Sequence, residues 1–165
     1  MTDNKKEITQ EAVIDRYAEL VYRLALSQVK NQADADDIFQ EVFIRLVSNV
    51  HKLQNWEHVK AWLIRVTINC SRKHFAKLSV RSFFSIEEVE ESGFVEAGFE
   101  KAEGDGPVTT AVRKLPLKYR SVVHLFYFEE LSIDQIASVT GQKETTVKSQ
   151  LFRARKMLKD LLEVE

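Results

Sequence analysis

Apolar residues recur every three or four positions along much of the chain, which is the spacing of one face of an α-helix. The first such stripe predicts a helix that ends near residue 30, and it comprises Val13, Tyr17, Leu20, Val21, Leu24 and Ala25. A second helix, which we expect Asp34 to cap, has a broader apolar face made of Ile38, Phe39, Val42, Phe43, Leu46, Val47 and Val50. A third helix is predicted from Val59 to Lys77, with a buried stripe that begins at Trp62, Leu63 and Val66.

The C-terminal third has the pattern of two helices joined by a tight turn. Pro116 is placed to start a preceding helix that buries Val122, Val123, Phe126 and Tyr127. Ser132 and Gln135 have the spacing of a capping box, and Gly141 supplies the left-handed residue that ends a helix. The final helix then carries an apolar stripe that should face the protein, formed by Val147, Leu151, Ala154, Leu158, Leu161 and Leu162.

Composition supports an all-α protein, because only five glycines and two prolines interrupt a chain that is 44% apolar. Charge divides it into three parts. Residues 1–79, 80–108 and 109–165 have net charges of +2, −6 and +3, and the acidic part holds four of the five glycines. We therefore predict two small helical domains, a three- to four-helix domain at residues 8–78 and a helix-turn-helix domain at 109–165, joined by a flexible acidic linker at 79–108.

Several classes of protein are excluded by what the sequence lacks. The chain has no apolar run long enough for a membrane span and its first residues lack a signal-peptide core, so we expect a cytoplasmic protein without membrane insertion. The only cysteine, Cys70, lies in a helical pattern that favours burial over redox sensing. The four histidines are scattered, and no Gly-rich phosphate loop or Ser, His and acid set is present. We predict no catalysis, no cofactor and no metal site.

The final helix has a second face that suits DNA. Between Lys143 and Lys159 there are six Lys or Arg residues and one acid, Glu144. The polar side of the helix presents Thr145, Lys148, Ser149, Phe152, Arg153 and Lys156. Short hydroxyls and cations can read base edges in the major groove and neutralise phosphates, whereas the simpler alternative is a solvated basic face. Phe152 is either a contact to a thymine methyl or sugar, or a packing residue against a neighbouring element.

The third helix has a similar cationic character. From Lys60 to Lys77 it carries five Lys or Arg residues and no acid. Trp56 and Trp62 add flat aromatic faces on which an unstacked base could rest, a combination that favours single-stranded or melting DNA. The alternative is that both tryptophans belong to the core. The position of Trp62 within the apolar stripe favours the core, whereas for Trp56, in the preceding loop, both readings stay open.

Three segments resemble the extracytoplasmic-function sigma factors of bacterial RNA polymerase. ADADDIFQEVFIRL at residues 33–46 resembles their polymerase-binding segment, LPLKYR at 115–120 the start of their last domain, and TVKSQLFRAR at 146–155 their promoter-reading helix. The resemblance covers about residues 8–78 and 108–162. It implies a sigma factor that binds core RNA polymerase and directs transcription by recognising the −10 and −35 elements of promoter DNA and helping to open the duplex.

Site residues follow from that resemblance by position. The expected core polymerase contacts are Asp37, Gln40, Glu41 and Arg45. The expected −10 contacts are Asn55, Trp56, Lys60, Arg65, Asn69, Arg72 and Lys73. The expected −35 contacts are Thr145, Lys148, Ser149, Phe152, Arg153 and Lys156. Lys73 and Gln150 depart from residues common in the family, so the DNA sequence that is read does not follow.

The last expectations concern the partners of the chain and an alternative function. The resemblance implies an anti-sigma protein as an inhibitory partner, and we expect the free chain to be a monomer. The rival is a stand-alone helix-turn-helix regulator that acts as a dimer, because such proteins read two-fold half-sites. The polar face of the second helix and the cationic third helix argue against that rival, since neither is needed for dimerisation.

Overall fold

The computed structural model describes residues 7–29, 31–81 and 106–163, with side chains described up to residue 77 in the second range. Every regular element in these ranges is helical, which confirms the all-α prediction. The chain divides between Lys73 and His74 into two compact units. The helices are α1 (Gln10–Gln28), α2 (Gln32–Asn49), a 3-10 turn (Val50–Lys52), α3 (Trp56–Arg81), α4 (Pro107–Arg113), α5 (Leu117–Val123), a π turn (His124–Phe128), α6 (Ile133–Thr140) and α7 (Glu144–Glu163).

Side-chain caps fix the starts of the first two helices. Thr9 Oγ1 accepts a hydrogen bond from the backbone N–H of Ala12 at 3.1 Å, which caps α1. Asn31 caps α2, because its Oδ1 accepts from the Asp34 N–H at 2.8 Å while its Nδ2 donates to Asp34 Oδ2 at 3.1 Å. The expectation that Asp34 would be the cap is therefore wrong: Asp34 lies in the first turn, where its charge complements the helix dipole.

The core of the N-terminal unit is formed by one apolar stripe from each long helix. Its buried side chains include Val13, Val21, Leu24, Ile38, Val42, Leu46, Val59, Leu63, Ile64 and Ile68. The predicted stripes are confirmed in outline, with two corrections. Val47 is 55% exposed, so it does not belong to the apolar face assigned to it. Trp62 and Val66 are only half-buried, while Ile64 and Ile68 occupy the core instead.

In the C-terminal unit, Pro116 precedes α5 as predicted, and Val122 and Val123 are buried. The prediction fails for Tyr127, which is exposed, and for Phe126, which is half-buried. The physical reason is the π turn that follows α5: its wider winding shifts the side-chain register, so that His124 and Leu125 face the core.

The helix-turn-helix follows the sequence prediction closely. The Ser132 and Gln135 capping box starts α6, and Gly141 ends it with φ at 67°. On α7, the stripe is buried at Val147, Leu151 and Ala154. Beyond these residues the stripe reaches the surface of the unit, because Leu158 and Leu161 are half-buried and Leu162 is exposed, which corrects its predicted burial.

Two further expectations concern the whole chain. Among the described residues, no helix combines the length and the apolar content that crossing a membrane requires. Residues 82–105, which make up most of the predicted acidic linker, lie outside the described ranges. The domain limits at residues 78 and 109 therefore stay predictions.

Candidate functional surfaces

The outer face of α7 is a cationic surface open to solvent. All six residues predicted to contact the −35 element are exposed there: Thr145, Lys148, Ser149, Phe152, Arg153 and Lys156. Phe152 is 66% exposed, so it does not pack against another element of its own unit, which removes one of the two roles left open for it. An exposed aromatic ring among cations and hydroxyls matches a surface that contacts DNA bases and sugars.

A chain of hydrogen bonds ties α7 to the preceding turn. Thr140 Oγ1 donates to the Ile136 carbonyl at 2.7 Å and accepts from Gln142 Nε2 at 3.0 Å. Gln142 Oε1 in turn accepts from Gln150 Nε2 at 2.7 Å. Gln150 therefore connects α7 to the turn that precedes it, a role for which the amide donor of glutamine is suited.

A cavity of about 330 Å³ opens beside the first two turns of α7. It is lined by residues of both α5 and α7, namely Lys118, Tyr119, Thr145, Thr146, Ser149, Gln150 and Arg153. The Lys118 ammonium lies over the Tyr119 ring, 5.1 Å from its centroid. Sequence reasoning missed Lys118, Tyr119 and Thr146, because nothing in the periodicity of α5 indicates that its start faces α7.

A second cation of α7 is held in place by aromatic residues that follow α5. Arg155 Nε donates to the Tyr127 hydroxyl at 2.6 Å, and its guanidinium carbon lies 5.7 Å from the ring centroids of both Phe126 and Tyr127. Stacking and hydrogen bonding together restrict the Arg155 side chain. The sequence pattern did not predict that Tyr127 is exposed. In the structure, its exposed hydroxyl is available to bind Arg155.

On α3, the residues predicted to contact the −10 element fall into two groups. Arg65, Asn69, Arg72 and Lys73 are exposed at spacings of three and four, so they form one polar face, and Lys60 is half-buried. Asn55 is exposed, but its Oδ1 accepts from the His58 N–H at 2.8 Å. This oxygen therefore caps α3, and the Asn55 side chain is only partly free to contact a base.

Trp56 differs from the role assigned to it. The side chain is only 8% exposed, and the Arg16 guanidinium carbon lies 4.7 Å from its ring centroid. The Tyr17 ring lies 6.2 Å away in a tilted arrangement. In this conformation Trp56 belongs to the core and offers no open ring face to an unstacked base, so of its two readings the structure supports the core. Trp62, assigned to the core, is the more exposed of the two tryptophans.

The outer face of α2 carries the residues predicted to bind polymerase. Asp37 and Gln40 are exposed, whereas Glu41 and Arg45 are half-buried and paired at 3.0 Å. Ile44, which lies between these positions on the same face, is 64% exposed. Sequence reasoning did not assign Ile44 to this face, and it assigned the exposed Val47 to the apolar stripe of α2 instead. The signal for Ile44 was available, because this apolar residue stands outside the stripe.

Cys70 is buried beneath this region, as predicted. Burial raises the pKa of its thiol; the Arg45 and Lys73 charges partly oppose this rise, and the Glu41 charge adds to it. A buried neutral thiol is a poor nucleophile and behaves as a small apolar residue. Within the described residues, no three His, Cys, Asp or Glu side chains are grouped in a way that could hold a metal ion.

These features define a DNA-binding protein of two helical units, one of which carries a helix-turn-helix. Comparison with known proteins narrows the class. The sigma-70 region 2 family matches residues 13–81, and the sigma-70 region 4 family matches residues 106–158. The RNA polymerase sigma factor SigV of Bacillus subtilis (strain 168) is 36% identical over 163 residues, covering 94% of this chain and 94% of that protein. The ECF RNA polymerase sigma factor SigM of the same strain is 29% identical over 163 residues, covering 93% and 95%.

Solved structures share the fold. One is the sigma factor RpoE of Bartonella quintana, crystallised with the anti-sigma factor NepR, which has a TM-score of 0.71 at 20% sequence identity. The match covers 94% of this chain and 97% of RpoE. The chain belongs to the sigma-70 family, in its extracytoplasmic-function group. It is a sigma factor for promoter-specific transcription initiation, and sigma factors in general are not enzymes. The rival dimeric regulator is not favoured, because both units match this family.

Proposed function

We propose that this sigma factor divides its work among three faces: α2 binds core RNA polymerase, α3 captures the −10 element, and α7 reads the −35 element. The observation that carries the proposal is α7, where six adjacent polar, cationic or aromatic residues are exposed and backed by a buried stripe. Cations supply salt-dependent attraction to phosphates, while hydroxyls and Phe152 reach base edges.

At the −10 element the mechanism is binding without catalysis. Arg65, Arg72 and Lys73 would hold the backbone of a strand, and Asn69 on the same face would contact a base. Capture of unpaired bases lowers the free energy of the open duplex, and stacking or pocket contacts of this kind contribute about 1–3 kcal/mol per base. Trp56, buried at the start of α3 against Arg16 and Tyr17, would fix the start of this helix and would not itself stack on DNA.

At α2, Asp37 and Gln40 would pair with cations or amides on a helix of the polymerase. The exposed Ile44 lies at the centre of that face and would supply apolar contact area. Charged residues at such an interface fix orientation and speed association, while a central apolar residue contributes most to affinity. The Glu41–Arg45 pair would stiffen the face, since it holds both side chains along the helix.

Regulation would come from an inhibitory protein. Two of the solved structures that share this fold are of RpoE in complex with the anti-sigma factor NepR and of CnrH in complex with the cytosolic domain of CnrY. By analogy we propose that an anti-sigma protein holds this chain inactive and that the free chain is a monomer in the cytoplasm. A measurement of mass in solution checks the monomer: a stable dimer would contradict it.

Transcription in a purified system tests the proposed function. Core polymerase is incubated with a pool of genomic fragments in the presence of the full chain, and bound fragments are selected and transcribed. We expect discrete start sites that require the protein, and their loss with Arg153→Ala combined with Ser149→Ala. A variant of an exposed residue on another helix, Glu19→Ala, is the control. Transcription that is independent of the protein would overturn the proposal.

A further inference from the structure

The cavity between α5 and α7 has a lining rich in hydrogen-bond donors. Two cations line it, Lys118 from α5 and Arg153 from α7, together with the hydroxyls of Thr145, Thr146 and Ser149. No carboxylate is among its lining residues. Ammonium, guanidinium and hydroxyl groups all donate hydrogen bonds, so the cavity selects an anion with several acceptor oxygens.

Two contacts hold the walls of the cavity before any ligand arrives. Lys118 is kept beside the cavity by the buried Tyr119 ring beneath its ammonium. Gln150 is held by its hydrogen bond to Gln142, which is itself bonded to Thr140. Because these side chains are already ordered, a ligand would bind with a smaller loss of conformational entropy.

We propose that this cavity receives a backbone phosphate of the −35 DNA, with Lys118 and Arg153 as its charged ligands. This inference rests on the proposed function. The anion is assigned to DNA because α7, the proposed DNA-reading helix, forms one wall of the cavity. Lys118 would thereby extend the DNA interface from α7 to α5. Its role differs from that of the base-reading residues: a phosphate contact positions the protein and carries no sequence preference.

The size of the cavity fits this assignment. A cavity of about 330 Å³ has room for a phosphate group with attached sugar atoms. The exposed hydroxyls at the start of α7 lie where the helix N-terminus adds further positive potential. Lys118 and Arg153, the groups with full charge, supply the main attraction.

The first test measures how salt affects binding of holoenzyme, reconstituted from core polymerase and the full chain, to a selected promoter. Removing one phosphate contact lowers the slope of log affinity against log salt concentration by about 0.9. We expect Lys118→Ala to lower the slope by that amount, to weaken binding roughly tenfold at low salt, and to do so equally on different promoters. Lys118→Arg should retain most of the affinity. Lys114→Ala removes an exposed cation outside the cavity and serves as the matched control.

The second test locates the phosphate. Each linkage of the −35 element is replaced in turn by an uncharged methylphosphonate, and binding is measured for wild-type and variant holoenzymes. We expect one linkage at which wild type and Lys114→Ala lose affinity while Lys118→Ala, which keeps only the Arg153 contact there, loses clearly less. A Lys118→Ala profile identical to that of wild type at every linkage would overturn the proposal. If wild-type holoenzyme selects no promoter at all, the proposed function fails instead.

A competition experiment separates a DNA phosphate from a free anion. Inorganic phosphate replaces chloride at constant ionic strength, and promoter binding by wild-type and Lys118→Ala holoenzymes is compared. We expect inorganic phosphate to weaken promoter binding more for wild type than for Lys118→Ala, because a free phosphate competes with the DNA phosphate for the same donors. Equal weakening of wild type and Lys118→Ala would show that the promoter does not occupy the cavity through Lys118, and it would overturn the DNA assignment.

Discussion

Leu151 and Phe152 are consecutive residues of α7 with opposite environments, and they separate stability from function. Leu151 is buried in the core, whereas Phe152 is 66% exposed. We expect Phe152→Ala to change the free energy of unfolding by less than about 0.5 kcal/mol, because it removes no buried contact. The same change should weaken binding to the −35 element. Leu151→Ala should instead lower the free energy of unfolding by about 2–5 kcal/mol.

Thermal unfolding followed by circular dichroism, together with promoter binding by holoenzyme, checks this pair. Leu162→Ala is a suitable control for Phe152→Ala, because it removes another exposed apolar side chain of the same helix that is not among the predicted −35 contacts. If Phe152→Ala destabilised the protein as strongly as Leu151→Ala, the Phe152 ring would have to be a packing residue, contrary to its exposure.

The buried pair His124 and Glu129 gives a second prediction at the scale of residues. His124 Nε2 and Glu129 Oε2 lie 2.8 Å apart, and the His124 ring stacks on Phe128 with centroids 5.3 Å apart. Glu129→Ala should lower the free energy of unfolding by about 1–3 kcal/mol, because it leaves a buried polar nitrogen without this acceptor. Glu129→Gln, which keeps an acceptor oxygen, should cost less.

A double-mutant cycle with His124→Phe isolates the contact between the two side chains. We expect a coupling energy of at least about 0.5 kcal/mol, as is usual for residues in one buried hydrogen-bond network. Strictly additive effects of the two substitutions would show that the pair does not act as a unit.

At the scale of elements, the turn between α6 and α7 depends on backbone conformation. Gly141 has φ at 67°, and a Cβ atom built on it meets no other atom within 4 Å. Gly141→Ala should therefore destabilise the C-terminal unit by about 1–2 kcal/mol through left-handed strain alone. Gly141→Asn should cost less, since asparagine tolerates this conformation better. Gly106→Ala, which alters a glycine with negative φ and open surroundings, should be close to neutral.

Amide hydrogen exchange in α6 and α7 is the measurement of choice for these glycine variants. Both tryptophans, Trp56 and Trp62, lie in the N-terminal unit, so their fluorescence would not report this turn. Equal protection in the Gly141→Ala and Gly106→Ala variants would refute the strain argument.

Elements whose causes are local in sequence could be predicted, and those that depend on packing could not. The capping box at Ser132 and the left-handed Gly141 were predicted because each involves residues no more than three or four apart. The π turn could not be predicted, because its wider winding has no distinct apolar period. Without it the burial of Phe126 and Tyr127 was assigned incorrectly.

The candidate sites divide in the same way. The exposed face of α7 followed from helical spacing and charge. Burial of Trp56 depends on Arg16 and Tyr17, which belong to α1 and are distant in sequence. Lys118 likewise joins the cavity only because α5 packs on α7. Contacts between helices determine the environment of such residues, and the periodicity within one helix carries no information about those contacts.

At the scale of the whole molecule, the proposed function assigns separate partners to surfaces on two separate compact units. The proposed polymerase face lies on α2 of the first unit, and the proposed −35 face lies on α7 of the second. Because no residue is shared between these faces, their functions should be separable by substitution. Arg153→Ala should weaken promoter binding while leaving association with core polymerase within about twofold of wild type, since substitutions at sites with no shared contacts act independently.

The converse substitution is the stronger test of this division. Asp37→Lys reverses an exposed charge on the polymerase face, so we expect it to weaken association with core polymerase by roughly tenfold or more through loss of charge complementarity. The fold should be unaffected, because Asp37 is exposed. Glu19→Lys makes the same change of charge at an exposed position on α1 and should leave the affinity unchanged. Binding of fluorescently labelled variants to core polymerase, measured at two salt concentrations, distinguishes them. Equal affinities for Asp37→Lys and Glu19→Lys would show that polymerase binds elsewhere on the chain.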